Sequence, residues 1–387
     1  MINSHLSVIV GGRVASTPHQ GGAAWAALQY VLGFDVLGHR TLLLDEVSTD
    51  QLMPRGAPLE RSDNAAYFGR VVREFDLEGR AALMLSGGRQ TVGLPFEHVL
   101  EAARSADLLV NESGVIRSEE ILESIPLRVY LDVDPGFTQV WQEAHGIDMR
   151  LGQHNRFATV GPLIGHPGCT VPTCGLDWIP TFPPVVLSEW PVAQGLQYDA
   201  LTTVGNWRGY GPAERDAVVY GGKVHSMRSF MELPTLTDER FMTAFAIHPD
   251  EGRDLGALRD NGWCLVDPAV VAGTPSAYRR FIQGSKAEFG VAKSGYVQAR
   301  CGWFSDRSAC YLASGRPVLA QETGYEDLLP VGWGLLPFST TEDVLSGVQA
   351  LAEDYGGHSA AARRIAEEYL ESGRVLNTLL DRVGGTT

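Results

Sequence analysis

Ser305-Asp306-Arg307-Ser308 belongs to a stretch from Arg300 to Ala320 that reads as a polar loop, one helix, a stop at Gly315 and the buried strand Val318-Leu319-Ala320. Hydroxyls, a carboxylate and a guanidinium at the start of a helix suit an anion. Unpaired backbone N–H groups point out of that end, and the helix dipole favours negative charge there. The chemistry served would be the holding of a phosphorylated ligand, with Arg307 as the charged contact. The same residues also read as a helix cap, in which Ser305 or Asp306 satisfies the first turn. Lys223 and Arg228 could add positive charge, and a solvated helix face accounts for them as well.

Candidate proton acceptors follow other apolar runs. His19 lies in the loop after the run 6–10, and a near-neutral imidazole can take a proton at working pH. His154, in Gly152-Gln153-His154-Asn155-Arg156, is a second candidate. Glu112, in Asn111-Glu112-Ser113-Gly114, could orient a ligand or pair with His19. Asp132 and Asp134 end a strand at the same rim, and Asp134-Pro135 reads foremost as a turn and helix start. Gly21-Gly22 would let backbone approach a ligand closely, or else permit a tight turn.

These residues need a frame. The run 6–10 ends in Gly11-Gly12. Residues 23–37 follow with Trp25, Leu28, Leu32 and Val36 at helical spacing, and Gly38 stops them before the apolar run 40–44. Further strands read at 81–85, 107–110 and 128–131, with helices at 64–75 and 96–105 between them. Strands alternating with helices imply parallel pairing and a doubly wound sheet. Residues 165–191 hold Pro167, Pro172, Pro180, Pro183, Pro184 and Pro191 and mark a connection. Beyond it a second such pattern has strands at 201–204, 241–247, 263–266, 289–293 and 318–320, a helix at 223–232 and a helical end at 341–380. The predicted fold class is α/β: two Rossmann-like doubly wound domains, 1–180 and 195–387, facing a cleft, with the last helix able to return to the first domain. Ligands in such sheets bind outside the carboxyl ends of the strands.

Composition bounds the function. The chain has 387 residues, 44% hydrophobic and 20% charged, enough for two cores. A net charge of −15 repels nucleic acid and anionic membrane, so an anionic ligand must be captured by a local site. No apolar run reaches the length of a membrane span, and residues 1–7 lack the pattern of a secretory leader. The five cysteines (Cys169, Cys174, Cys264, Cys301 and Cys310) show no regular spacing and no CxxC pair. That fits reduced thiols in the cytoplasm and speaks against structural zinc. HExxH, GxSxG, a P-loop lysine motif and a GxGxxG after the first strand are all missing, which argues against the corresponding hydrolases, ATPases and nicotinamide dehydrogenases.

Two Rossmann-like halves, a Gly-rich first loop and an anion-holding helix late in the second half resemble the GT-B glycosyltransferases. In motif the resemblance rests on Ser305-Asp306-Arg307-Ser308 through Gly315-Arg316-Pro317-Val318, on His19-Gln20-Gly21-Gly22, and on Leu37-Gly38-His39-Arg40-Thr41. There are departures: Cys310 takes the place of an acidic residue that holds the nucleotide ribose, and Cys301-Gly302-Trp303 that of a His-Gly-Gly start. The resemblance implies transfer of a sugar from a UDP-, GDP- or dTDP-sugar to a small-molecule acceptor such as a natural product, with inversion, no required metal and no bound cofactor. Such a reaction must stabilise the leaving diphosphate, deprotonate the acceptor and exclude water. The resemblance places donor contacts at Ser305, Asp306, Arg307 and Ser308, with Trp207, Arg208, Lys223, Lys293 and Ser294 facing the cleft. It places sugar contacts at Glu322, Thr323 and Gly324. It makes His19 the base, with His154 and Glu112 as alternates, and Gly21 and Gly22 an acceptor-side loop. The partners would be nucleotide sugar and acceptor, without nucleic acid or membrane insertion; a homodimer is left open. Competing readings are a sugar-nucleotide epimerase of the same architecture and a non-catalytic binding protein.

Overall fold

The structure, a computed structural model, describes residues 5–384; residues 1–4, part of the stretch read above for a leader, lie outside it. The strands are β1 (Ser7–Gly11), β2 (Arg40–Val47), β3 (Ala81–Leu85), β4 (Thr91–Gly93), β5 (Leu108–Glu112), β6 (Leu127–Asp132), β7 (Arg156–Thr159), β8 (Trp178–Pro180), β9 (Tyr198–Asn206), β10 (Ala213–Arg215), β11 (Val218–Tyr220), β12 (Phe241–Ala246), β13 (Cys264–Leu265), β14 (Ser285–Gly290), β15 (Val318–Gln321) and β16 (Leu335–Phe338). The first sheet has the order β4-β3-β2-β1-β5-β6-β7-β8 and the second β13-β12-β9-β14-β15-β16. Pairing is parallel throughout except between β3 and β4. The inner strands are buried on both faces, as parallel strands covered by helices must be.

Each sheet reverses direction once. The first lobe does so between β1 and β5, where Gly11 registers with Asn111. The second does so between β9 and β14. Crevices open at such switch points, outside the strand ends. The chain therefore puts Arg13 and Glu112 at one crevice and Asn206 and Lys293 at the other.

The two sheets match the two Rossmann-like units of the expected fold class, and the local differences have physical causes. The connection is shorter than 165–191, because Trp178–Pro180 adds β8 to the edge of the first sheet, where proline is tolerated. The strand expected at 289–293 lies at Ser285–Gly290, since Lys286 and Glu288 gain partners that polarity alone did not reveal. The helix expected at 223–232 continues past Lys223–Met227 only as a tight turn at Arg228–Phe230. The helix Ser372–Gly384 packs on the first lobe's helix Gly21–Val36. Its Arg382 donates to the Pro180 carbonyl, and Val185 bonds Leu370 and Ser372 as a β-bridge would. No helix among the described residues is long and apolar enough to cross a membrane.

The helix Gly21–Val36 also stitches the lobes together. Trp25 Nε1 donates to the Pro275 carbonyl at 2.9 Å, and Gly21 N to the Ala272 carbonyl at 2.8 Å. A Cβ on Gly21 would sit 2.3 Å from the Thr274 oxygen. Gly21→Ala is accordingly expected to cost about 1–3 kcal/mol, as overpacking does. Gly69→Ala, mid-helix with its nearest neighbour 3.5 Å away, is expected to gain about 0.5–1 kcal/mol. Urea denaturation of the two variants checks the contrast.

Candidate functional site

The facing switch points enclose a cleft of two joined chambers. The larger, about 480 Å³, is lined by Arg13, Tyr30, Glu112 and Asp134 of the first lobe and by Lys223, Tyr210, Lys293, Tyr296 and Trp303 of the second. The smaller, about 360 Å³, has His19, Ala246, Pro268, Ala269, Ala272 and Tyr278 on its walls. They meet at Gln20, Gly22, Ala23, Gly205, Asn206, Asp306 and Arg307. The start of the helix Asp306–Ala313 therefore stands at the junction. Ser305 caps that helix by accepting from Arg307 N at 3.2 Å, so the cap and the chamber wall are the same residues.

Every cation of the larger chamber already has a protein partner. Arg13 Nε lies 3.1 Å from Glu112 Oε1, and Lys293 Nζ lies 2.5 Å from Asp134 Oδ1. Arg307 gives Nε to Glu288 at 2.5 Å and Nη1 to the Val204 carbonyl at 3.1 Å; Nη2 is in neither bond. Lys223 Nζ donates to the Val291 carbonyl. Burial, reinforced by Arg307, pushes the Lys223 ammonium well below its ordinary value. Burial likewise raises the Glu112 carboxyl, with Arg13 opposing. At Asp306 burial raises the carboxyl and Arg307 offsets part of it. At Asp134 burial is outweighed by Lys293, Tyr210 and Tyr296, which hold that carboxyl below its usual range. Three of the chamber's cations, Arg13, Lys293 and Arg307, are thus fixed in ion pairs.

The Arg13 loop is held from beneath. Asp45 Oδ2 accepts from Ala15 N at 2.5 Å and Ser16 N at 3.2 Å, while Oδ1 has no partner. Burial pushes this carboxyl up to about 7 against those donors. Folded Asp45 keeps its proton to higher pH than the unfolded chain does. The folded state thus binds more protons between about pH 4 and about pH 7, and stability falls as pH rises through that window, by up to about 1.4 kcal/mol per unit. Asp45→Asn keeps an acceptor oxygen and is expected to flatten that slope. Urea titrations of both proteins across the window measure it.

No family model matches the sequence, and no curated protein matches it. Solved structures do match over nearly the whole chain. An alpha-glucosyltransferase in complex with UDP and a 13-mer DNA containing a HMU base superposes with a TM-score of 0.63 at 10% identity, over 98% of this chain and 100% of that one. HepE from Anabaena in complex with UDP and glucose gives 0.57 at 11% identity, over 98% and 100%. Sucrose-phosphate synthase from Thermosynechococcus elongatus gives 0.52 at 12%, over 98% and 100%. The chain has the GT-B fold.

On this GT-B frame the sequence-derived candidates separate. Ser305, Asp306, Arg307, Lys223 and Lys293 line the larger chamber with Glu112, and Gly22 lines both. His19 stands at the smaller chamber with a left-handed backbone, φ 62°, and its Nε2 lies 2.6 Å from Asp63 Oδ2. The suggested Glu112–His19 pair is corrected: Glu112 is bound by Arg13 and His19 by Asp63. Gly21 lines the smaller chamber, and a Cβ there would meet the second lobe's backbone.

Other candidates lie off the chamber walls. His154 is 6% exposed, between Asn111 Nδ2 and the Arg150 carbonyl at 3.0 Å each, and burial lowers its imidazole to about 4. Trp207 is a core residue whose indole donates to Asp254 at 3.1 Å, and exposed Arg208 pairs with Glu251. Arg228 pairs with Asp254. Ser308 is buried, and Ser294 opens the short helix Ser294–Ala299. Glu322 accepts from Ser339, Thr323 donates to the Trp303 carbonyl, and Gly324 packs beneath Leu163. Cys310 is buried against Gln29 Nε2 at 3.7 Å and so faces the other lobe.

Among the lining residues that escaped the sequence reading are Arg13, Tyr30 and Tyr210. Tyr30 was findable. Gly22, Ala23 and Ala26 form a small-residue stripe on its helix, and Tyr30 lies four residues beyond Ala26 on the same face. Among the described residues no group of three or more His, Cys, Asp or Glu is placed to hold a metal ion.

Proposed function

We propose that this protein transfers a sugar from a nucleoside-diphosphate donor to the hydroxyl of a small-molecule acceptor. The observation that carries the reading is the helix end at the junction of the chambers, with space on both sides. A diphosphate there meets the N–H groups of the first turn, Arg307 Nη2 and Lys223, whose amine regains its proton beside an anion. That set supplies charge for the leaving group without requiring a metal. The smaller chamber, walled by Ala246, Pro268, Ala269 and Tyr278, suits the flat apolar faces of a nucleobase. The larger suits the sugar and the acceptor. UDP in the solved GT-B relatives supports a UDP-sugar as donor.

The base must reach the acceptor hydroxyl. Glu112 is in the chamber assigned to sugar and acceptor, and burial makes it more basic than a surface carboxylate. His19 is on the nucleoside side, so Glu112 is the proposed base and His19 the rival. The attack is taken as direct, with inversion. A DNA acceptor, as in one relative's complex, is disfavoured by the net charge of −15. Calorimetry with UDP, GDP and dTDP tests the donor site. UDP is expected to bind most tightly, and failure of all of them to bind would overturn the reading. Incubating UDP-glucose without acceptor separates the epimerase alternative, which would convert the sugar.

A further inference from the structure

Asp134 brings an open carboxylate oxygen to the wall of the larger chamber. It follows β6 just beyond Leu131, the register partner of Glu112, so the two carboxylates come from neighbouring strand ends. Its Oδ1 is fully engaged. Lys293 Nζ and the Tyr210 hydroxyl donate to it at 2.5 Å each, and the Tyr296 hydroxyl completes the set. All three donors come from the second lobe. Oδ2 has no hydrogen-bond partner among the described residues, yet it is not sealed off. The side chain is 19% exposed and lines the chamber. Burial disfavours its charge, but Lys293 and the two phenols outweigh that, so the group is a carboxylate and can only accept. Arg13 gives its Nε to Glu112 and not to Asp134.

An ionised oxygen facing a bound ligand has two outcomes. Either a ligand hydroxyl donates to it, or the ligand strips its water and leaves it unpaired at a high cost. The reaction itself uses one acceptor hydroxyl, at Glu112. A mono-alcohol or a simple phenol then has nothing left to give Asp134. An ammonium is a poor match, since Lys293 already neutralises this carboxylate and Arg13 the other. Val133, Val160, Pro183, Pro184 and Trp303 give the same chamber an apolar side, which suits the C–H face of a ring. We propose that Asp134 Oδ2 accepts a hydrogen bond from a second hydroxyl of the acceptor, so that the acceptor is a polyhydroxylated ring, a sugar or cyclitol, and not a mono-alcohol or phenol. The inference rests on the glycosyl-transfer reading and deepens it.

The test measures UDP release from UDP-glucose with glucose, myo-inositol, cyclohexanol or phenol as acceptor, beside calorimetry with UDP, on the full chain and on Asp134→Asn. Transfer to glucose or myo-inositol is expected, with kcat/KM for cyclohexanol and phenol lower by at least about 100-fold, as a site built to bind a hydroxyl rejects an analogue lacking it. Asp134→Asn keeps Oδ1 for Lys293 and the two phenols and puts a donor in place of Oδ2. It is expected to raise KM for the polyhydroxylated acceptor by about 10–100-fold, one hydrogen bond to a charged group, with a smaller change in kcat and the same UDP affinity. If its urea midpoint falls, Asp134→Asn with Lys293→Met, which strands no ammonium, carries the same KM comparison. Transfer to cyclohexanol or phenol as fast as to the polyols, transfer to neither polyol, an unchanged KM, or a loss of UDP affinity in Asp134→Asn equal to the rise in KM would overturn the proposal. If the full chain does not bind UDP, the glycosyl-transfer reading itself falls and this inference with it. If UDP binds and only the acceptor contrasts fail, the reading stands and the inference alone is lost.

Discussion

Glu112→Gln is expected to lower turnover by roughly 10²–10⁴-fold while UDP affinity stays unchanged. The substitution keeps shape and an acceptor oxygen for Arg13 Nε, now 3.1 Å from Oε1, so the pair loses charge without losing its contact. What disappears is the ability to take the acceptor's proton. The carboxylate is 6% exposed, and burial raises its proton affinity against the pull of Arg13. A base with a raised value stays protonated to higher pH, so activity of the parent protein should fall as pH drops through that raised value. In Glu112→Gln the residual activity should lose that acid limb. Steady-state rates against pH, with calorimetry of UDP on both proteins, measure the two effects. His19→Ala decides between the rivals. Near-normal turnover in His19→Ala beside a collapse in Glu112→Gln assigns the base to the larger chamber, and the reverse pattern assigns it to the His19–Asp63 pair.

The frame was legible because its signals are local. The apolar run 6–10 closed by Gly11-Gly12, and the run ending at Gly315 before Val318, each announce a strand boundary through period and glycine alone. The helix Phe96–Ser105 was read to its ends for the same reason. The chambers were less legible because they depend on what crosses between lobes. Gly21 reads in sequence as ligand-facing backbone and does line the smaller chamber, but only the position of Thr274, far along the chain, shows that it also seats one lobe on the other. Trp207 and Arg208 follow a strand at a switch point, yet Asp254 and Glu251 from a neighbouring helix turn them away from the chambers. The β10–β11 hairpin is too short to announce itself, but it carries Arg215 to Glu143 of the first lobe at 3.4 Å. Tyr210, just before it, reaches Asp134, which the sequence offered mainly as a turn residue.

Arg307→Ala should cost about 3–5 kcal/mol of folding stability, because it strands a buried carboxylate. Glu288 is fully buried; its Oε1 takes the Arg307 guanidinium at 2.5 Å, and its Oε2 has no other partner. Against a total of about 5–15 kcal/mol for an ordinary domain, that loss would mask any effect on ligand. Loss of UDP binding in the single variant would therefore say little about phosphate contact. The double variant Arg307→Met with Glu288→Met removes both charges and restores apolar contact, and such exchanges are often neutral or stabilising. It is expected to recover most of the urea midpoint and still bind UDP about 10-fold or more weakly, since a charged hydrogen bond to the diphosphate is gone. Recovery of stability together with full UDP affinity would reduce Arg307 to a partner for Glu288. The helix end and Lys223 would then have to hold the phosphates unaided.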